Sequence, residues 1–267
     1  LQKNADFYSA QAYKADFTRK NTVNEINSWV NKNTNGMIKK LVDEFDPLTV
    51  MVLMNALCLE AEWDDPYTDN CVREGTFKNA KGNLVKAEYM YSQETEYIET
   101  ENATGFVKYY KGGKFAFVAL LPNEGTSIDS YIASLTGKGF LSALNSRKNT
   151  QVNTQMPKFK CEYSNSLVDT LKKMGMSTAF DGDRANFSSM ATIKNENIYI
   201  SDVIHKTFIE VAEKGTRAGA ATAVIVGESA AMPVEQPKEV RLTRPFVYAI
   251  IDTRTNLPLF IGVQTDI

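Results

Sequence analysis

Glu213-Lys214-Gly215-Thr216-Arg217-Ala218-Gly219-Ala220-Ala221-Thr222-Ala223-Val224-Ile225-Val226 is the stretch on which the fold turns. Thr216, Ala218, Ala220, Thr222, Val224 and Val226 alternate strictly, and all are small or β-branched. A period of two with one uniformly small face suits a strand that slots between two others. No proline interrupts 215–231, so no ladder donor is missing there. Gly215 supplies a pivot just before the alternation. Composition alone leaves a second reading open, because Ala and Gly satisfy most patterns and also make flexible linkers. Either way, Gly215 to Pro237 is a long segment poor in core residues, which in a compact domain is usually functional or disordered.

Working outward, the 267 residues are 43% hydrophobic, enough for one large core. The net charge of −2 leaves no electrostatic footprint for nucleic acid. The longest apolar run, Leu48 to Leu59, holds Asn55 and falls short of the ~20 residues a membrane helix needs. It reads as a central strand buried on both faces. Cys58, Cys71 and Cys161 are widely spaced and fit no metal pattern, so neither metal nor cofactor is expected.

Local signals predict a mixed chain. Thr22-Val23-Asn24-Glu25 reads as a capping box, with a helix continuing to a stop at Gly36. Further helices are expected over Ser127–Leu135 and from Asn165 to Gly175, the latter with Leu167, Leu171 and Met174 on its apolar face. Strands are expected near Leu84–Tyr91, Tyr97–Ile98, Gln151–Cys161, Ile198–Val203, Arg241–Leu242, Phe246–Ile251 and Leu259–Gln264. Lys111-Gly112-Gly113-Lys114 joins Gly105–Tyr110 to Phe115–Leu121 as a hairpin. The class is α+β with mainly antiparallel strands.

Ile204-His205-Lys206, Phe208-Ile209-Glu210-Val211 and the stretch 213–222 together resemble the serpin hinge. Arg244-Pro245-Phe246 and Leu259-Phe260-Ile261-Gly262 resemble the family's closing segments. Ile26-Asn27-Ser28-Trp29-Val30, Asn55-Ala56 leading to Trp63, Met156-Pro157-Lys158-Phe159 and Leu171–Met176 extend the resemblance, in order, from Asp16 to Gly262. It implies one partial serpin domain over 1–267, without the family's N-terminal helices. The implied fold has a large, mainly antiparallel sheet A, with sheets B and C and packed helices. It also implies a reactive-centre loop at about 213–239, and an inhibitor rather than an enzyme. A serine protease would cleave the loop, be trapped as an acyl-enzyme, and be displaced as the loop inserts as a new strand.

The resemblance assigns the hinge to Glu213, Gly215, Thr216, Ala218, Ala220, Ala221 and Thr222. Asn55 and His205 fall in its shutter region and Trp63 in its breach, where the loop enters. Counting forward from the hinge puts the reactive bond at Ser229-Ala230, while counting back from Arg244-Pro245-Phe246 lands near Val234-Glu235. Small side chains around Ser229, and the lack of Lys or Arg between Arg217 and Lys238, point to a protease with a small primary pocket, elastase-like or subtilisin-like. The expected protein is a monomer, secreted or at the cell surface, with no nucleic-acid or membrane partner. Asn102-Ala103-Thr104 and Asn186-Phe187-Ser188 match a glycosylation pattern. Ala212, where the family more often has Asn, and the long distal loop keep a non-inhibitory serpin (carrier, chaperone or storage) as the alternative. A hydrolase built on His205, the single histidine, is a distant third, since no Gly-x-Ser-x-Gly elbow occurs.

Overall fold

The computed structural model describes residues 6–7, 9–46, 48–190, 197–216 and 236–267. Two compact units emerge: Leu1–Cys58 with Glu162–Phe208, and Leu59–Cys161 with Ile209–Ile267.

In the first unit, α1 spans Lys20–Asn33. It starts before the expected capping box, from Arg19, with no side-chain cap. Thr22 instead donates its hydroxyl to the Asp16 carbonyl, 2.6 Å away. The helix ends as a Schellman turn. Asn35 holds a left-handed φ of 48° and the Gly36 amide reaches back to the Asn31 carbonyl at 2.8 Å. Asn35, not Gly36, therefore carries the first left-handed position.

β1, Val52–Cys58, is shorter than the apolar run predicts. Its Val52, Met54 and Ala56 pack with Val30, Ile38, Leu41 and Val42 beneath α1. Leu53 and Asn55 point the other way and are exposed. Burial on both faces is thus not observed among the described residues; alternation sends the odd positions away from the helix. β1 runs parallel to the first part of a later strand, Val52 facing Asp202 and Cys58 facing Phe208.

The second unit begins with β2, Ala61–Glu62, and contains an eight-stranded sheet. Its members are β3 (Val72–Lys78), β4 (Leu84–Glu99), β5 (Ala103–Tyr109), β6 (Phe115–Pro122) and β7 (Lys148–Pro157), followed by three C-terminal strands. The two runs expected at 84–91 and 97–98 form one strand, β4, whose length lets it pair with β3, β7 and β5 in turn. The β5–β6 hairpin forms as expected, with Gly112 and Gly113 at φ 81° and 66°. Helices α2 (Ile128–Ser134) and α3 (Gly137–Asn145) cover one face of the sheet, burying Tyr131, Phe140 and Leu144 on Val118, Leu120, Val247 and Ala249. Sequence reading missed α3, because Gly137 and Gly139 mask it. Its start signal was Thr136, whose side chain caps the Gly139 amide at 3.0 Å.

The run expected at 151–161 breaks at Lys158 into β7 and β8, Phe159–Ser166. α4, Val168–Leu171, is briefer than expected, and Gly175 (φ 102°) turns the chain within the widened coil that follows. Met174 lies there in solvent, 75% exposed, rather than on a buried face. β9 covers Asp202–Ala212, so the strand expected at 198–203 starts later. β10 is Gly215–Thr216. β11 (Lys238–Arg241), β12 (Phe246–Asp252) and β13 (Leu257–Gln264) complete the eight-stranded sheet. Pairing in that sheet is mainly antiparallel, with β11 parallel to β7.

Candidate functional site

β9 ends at Ala212, Glu213 and Lys214 turn, and β10 runs back antiparallel to it. On its other edge β10 pairs antiparallel with β2, Gly215 facing Glu62 and Thr216 facing Ala61. Two hinge residues therefore already sit as a strand between β9 and β2. Gly215 is required there. Its φ is 147°, and a Cβ would lie 2.1 Å from the Ala61 carbonyl oxygen.

Thr216 is fully buried, on the side the alternation assigns to the small face. Its hydroxyl lies 2.6 Å from that of Tyr110. Tyr110 stacks on Trp63, centroids 4.4 Å apart and planes 14° off parallel. Trp63 meets the hinge turn twice. Its indole N–H donates to the Ala212 carbonyl at 2.9 Å, and its amide donates to the Lys214 carbonyl at 3.0 Å. The Tyr67 amide donates to the Glu213 carbonyl at 2.9 Å. Each carbonyl of the turn thus has a fixed partner.

The Glu213 side chain accepts a 2.6 Å bond from Lys158, which also reaches Glu88 at 3.1 Å. Burial pushes the Glu213 carboxyl up, but the Lys158 bond and its own backbone amide outweigh this and leave it below the ordinary carboxylate value. Burial likewise pulls the Lys158 ammonium down, and the two carboxylates more than reverse it. Burial holds the Tyr110 hydroxyl far above the usual phenol range, so it stays a neutral hydrogen-bonding group.

In the other unit, Asn55 faces His205 across the parallel β1–β9 pair. Asn55 Oδ1 and His205 Nδ1 lie 3.0 Å apart. The expected juxtaposition is present, yet His205 is half-buried and Asn55 exposed, because both occupy the face turned away from α1. Over Val52–Cys58 β1 and β9 pair directly, with no strand between them.

The structure therefore brings Glu213, Gly215, Thr216 and Trp63 together, and separately Asn55 with His205. Ala218, Ala220, Ala221, Thr222 and the Ser229-Ala230 bond lie outside the described residues. Sequence reading missed Tyr110, Tyr67 and the Lys158 contact. Tyr110 had a signal, being the position to which the alternation Phe106, Lys108 of β5 runs on, one residue past the strand's end.

A family model described as serpin (serine protease inhibitor) matches residues 1–267. An uncharacterized serpin-like protein of Thermococcus kodakarensis is 34% identical over 259 residues, 96% of this chain and 60% of its own length. The chain thus spans three-fifths of that relative. Among solved structures, the thermophilic serpin tengpin in its native state matches with TM-score 0.92 and 46% identity, over all of this chain and 68% of that one. The same serpin in its latent state matches with TM-score 0.78 and 37% identity, over all of this chain and 70% of that one. Thyroxine-binding globulin in complex with thyroxine matches with TM-score 0.84 and 25% identity, over all of this chain and 70% of that one. The ordered motifs, the pre-seated hinge and these matches agree: the chain belongs to the serpin family.

Proposed function

We propose that the protein inhibits serine proteases by offering the segment after Thr216 as bait and taking it up, once cut, as a strand between β1 and β9. One observation carries this reading. Gly215–Thr216 is already seated between β9 and β2, and Thr216 faces residues 211 and 61, an offset of 150. Where β1 and β9 pair directly, residue 52 faces 202, again an offset of 150. A strand continuing from Thr216 therefore needs β1 and β9 to part sideways without sliding. Continuing the register puts Thr222 opposite both Asn55 and His205, so uptake would break their hydrogen bond. The pairing of β1 with β9 and the greater likeness to native than to latent tengpin support an uninserted resting state.

The proposed reactive bond is Ser229-Ala230, and the target is a protease with a small primary pocket. The test is incubation with elastase and subtilisin, read by denaturing gel and mass spectrometry. The expected result is a denaturation-resistant adduct, a cut after Ser229, and a cleaved form more heat-stable than the intact one. Cleavage with neither adduct nor gain in heat stability would sink inhibition. The likeness to thyroxine-binding globulin favours a carrier as the second reading, and that outcome would favour it.

A further inference from the structure

Lys108 is the most buried cation among the described side chains named in ion pairs, 2% exposed. It stands on β5 between Phe106 and Tyr110, and the alternation sends all three to the face opposite α2 and α3. A lysine there must lose its hydration, and it is held only if its charge is matched. Glu94 on β4 matches it, Oε1 to Nζ 2.8 Å, and is itself 12% exposed. Glu94 sits where the β4–β7 register slips, between Glu94 and Glu96, a bulge that re-aims side chains. Ser92 donates to its carboxylate at 2.6 Å and lies 2.8 Å from the Thr154 hydroxyl. The pair is therefore built, satisfied and rigid.

The same ammonium lies 4.5 Å from the ring centre of Tyr67 and 5.6 Å from that of Trp63. Those two residues, with Tyr110, supply the Trp63–Ala212, Trp63–Lys214, Tyr67–Glu213 and Tyr110–Thr216 contacts that seat the hinge. A cation facing two aromatic rings draws both toward itself, and desolvation strengthens the pull. Fixing Trp63 also fixes Tyr110, because the two rings are stacked.

We propose that the Lys108–Glu94 pair is a positioning element that keeps Gly215–Thr216 seated as a pre-formed first step of strand uptake. It touches neither the hinge nor a protease; it acts through the Trp63 and Tyr67 rings. This rests on the loop-uptake reading for its consequence, though not for its structural claim. With the first two residues in place, the freed loop extends an existing strand instead of nucleating one.

The test uses the full protein and a charge-free pair, Lys108→Met with Glu94→Gln. The double substitution removes the cation without stranding a buried charge, so it is expected to fold. Amide hydrogen exchange of the uncleaved protein is read for the peptide containing Gly215–Thr216, beside a control peptide from β6. The expected result is roughly tenfold faster exchange at the hinge, from the loss of two cation–ring contacts, and no change in β6. Lys108→Arg, which keeps a cation over the rings, should restore protection. Trp63 emission, read in a Trp29→Phe background, should shift in the double variant and return with Lys108→Arg. Unchanged exchange and emission in the double variant would overturn the proposal. Equal loosening of β6 would also overturn it, by reducing the pair to ordinary core support. A second arm follows the cleaved loop. If wild type gains heat stability on cleavage, the double variant should do so about tenfold more slowly, with more protease escaping. If wild type gains none, the uptake reading fails while the exchange result still decides the role of the pair.

Discussion

Thr216 is where a single side chain decides between strand and loop. It is fully buried, and its one polar atom is satisfied by Tyr110. Thr216→Arg would place an unpaired charge in that seat, a cost of several kcal/mol that exceeds anything two strand residues can offset. The variant should keep its fold, lose the seated hinge, and be cleaved by the target protease as a substrate. A gel ratio of adduct to cleaved product checks this; an unchanged ratio would count against insertion through this seat. Glu213 and Lys158 make a gentler prediction. The Glu213 carboxyl lies below its ordinary 4.5, so its contribution is full above that value and is lost as pH falls through the depressed one. The Lys158 ammonium lies above its ordinary 10.5, so its share is full below that pH and fades only as pH rises through the raised value. Both groups are partly exposed, which limits the pair to about 0.2–1 kcal/mol. Hinge exchange in wild type should therefore be slower than in Lys158→Met from pH 5 to 10. The difference should fade below 4.5, as pH falls through the depressed Glu213 value.

At the scale of elements, the proposed uptake depends on parity. Small and β-branched residues occupy every second position from Thr216 to Val226, and Arg217 falls on the opposite set. A one-residue slip exchanges the two faces. Deleting Gly219 should therefore bring Ala220 and Thr222 onto the wrong face and abolish the heat-stability gain on cleavage. Deleting Gly219 and Ala220 together restores parity and should recover most of it. Equal loss in both would argue against a strand. The β5–β6 hairpin, α2 and the three C-terminal strands were legible in the sequence, because each carries its own period or turn signal. The end of β1 was not. An unbroken apolar run cannot say which side of a strand is covered, and α1 covers one side only. Nor was the seating of β10, since two residues have no period. Its outer partner, Ala61–Glu62, is remote in sequence, though Val211–Ala212 lies just across the Glu213–Lys214 turn.

At the scale of the whole molecule, the family was legible through many ordered matches, and the sites only in part. Trp63, Asn55, His205 and the hinge came from resemblance, and the structure pairs Asn55 with His205 and Trp63 with the hinge turn. Lys108 and Glu94 escaped because a charge inside an alternating strand reads as a solvated position unless its partner, fourteen residues earlier in the chain, is known to lie beside it. The common 150-residue offset has a mechanical meaning as well. Under the proposed uptake, a seam whose two rails keep one register would act as a track, along which each residue taken up would haul its load forward by about 3.4 Å. From Thr216 to the proposed bond after Ser229 that would amount to roughly 44 Å of travel. Because the rails need not slip, an opposing force would tax every step alike, and the haul should run as one stroke without a stall point partway.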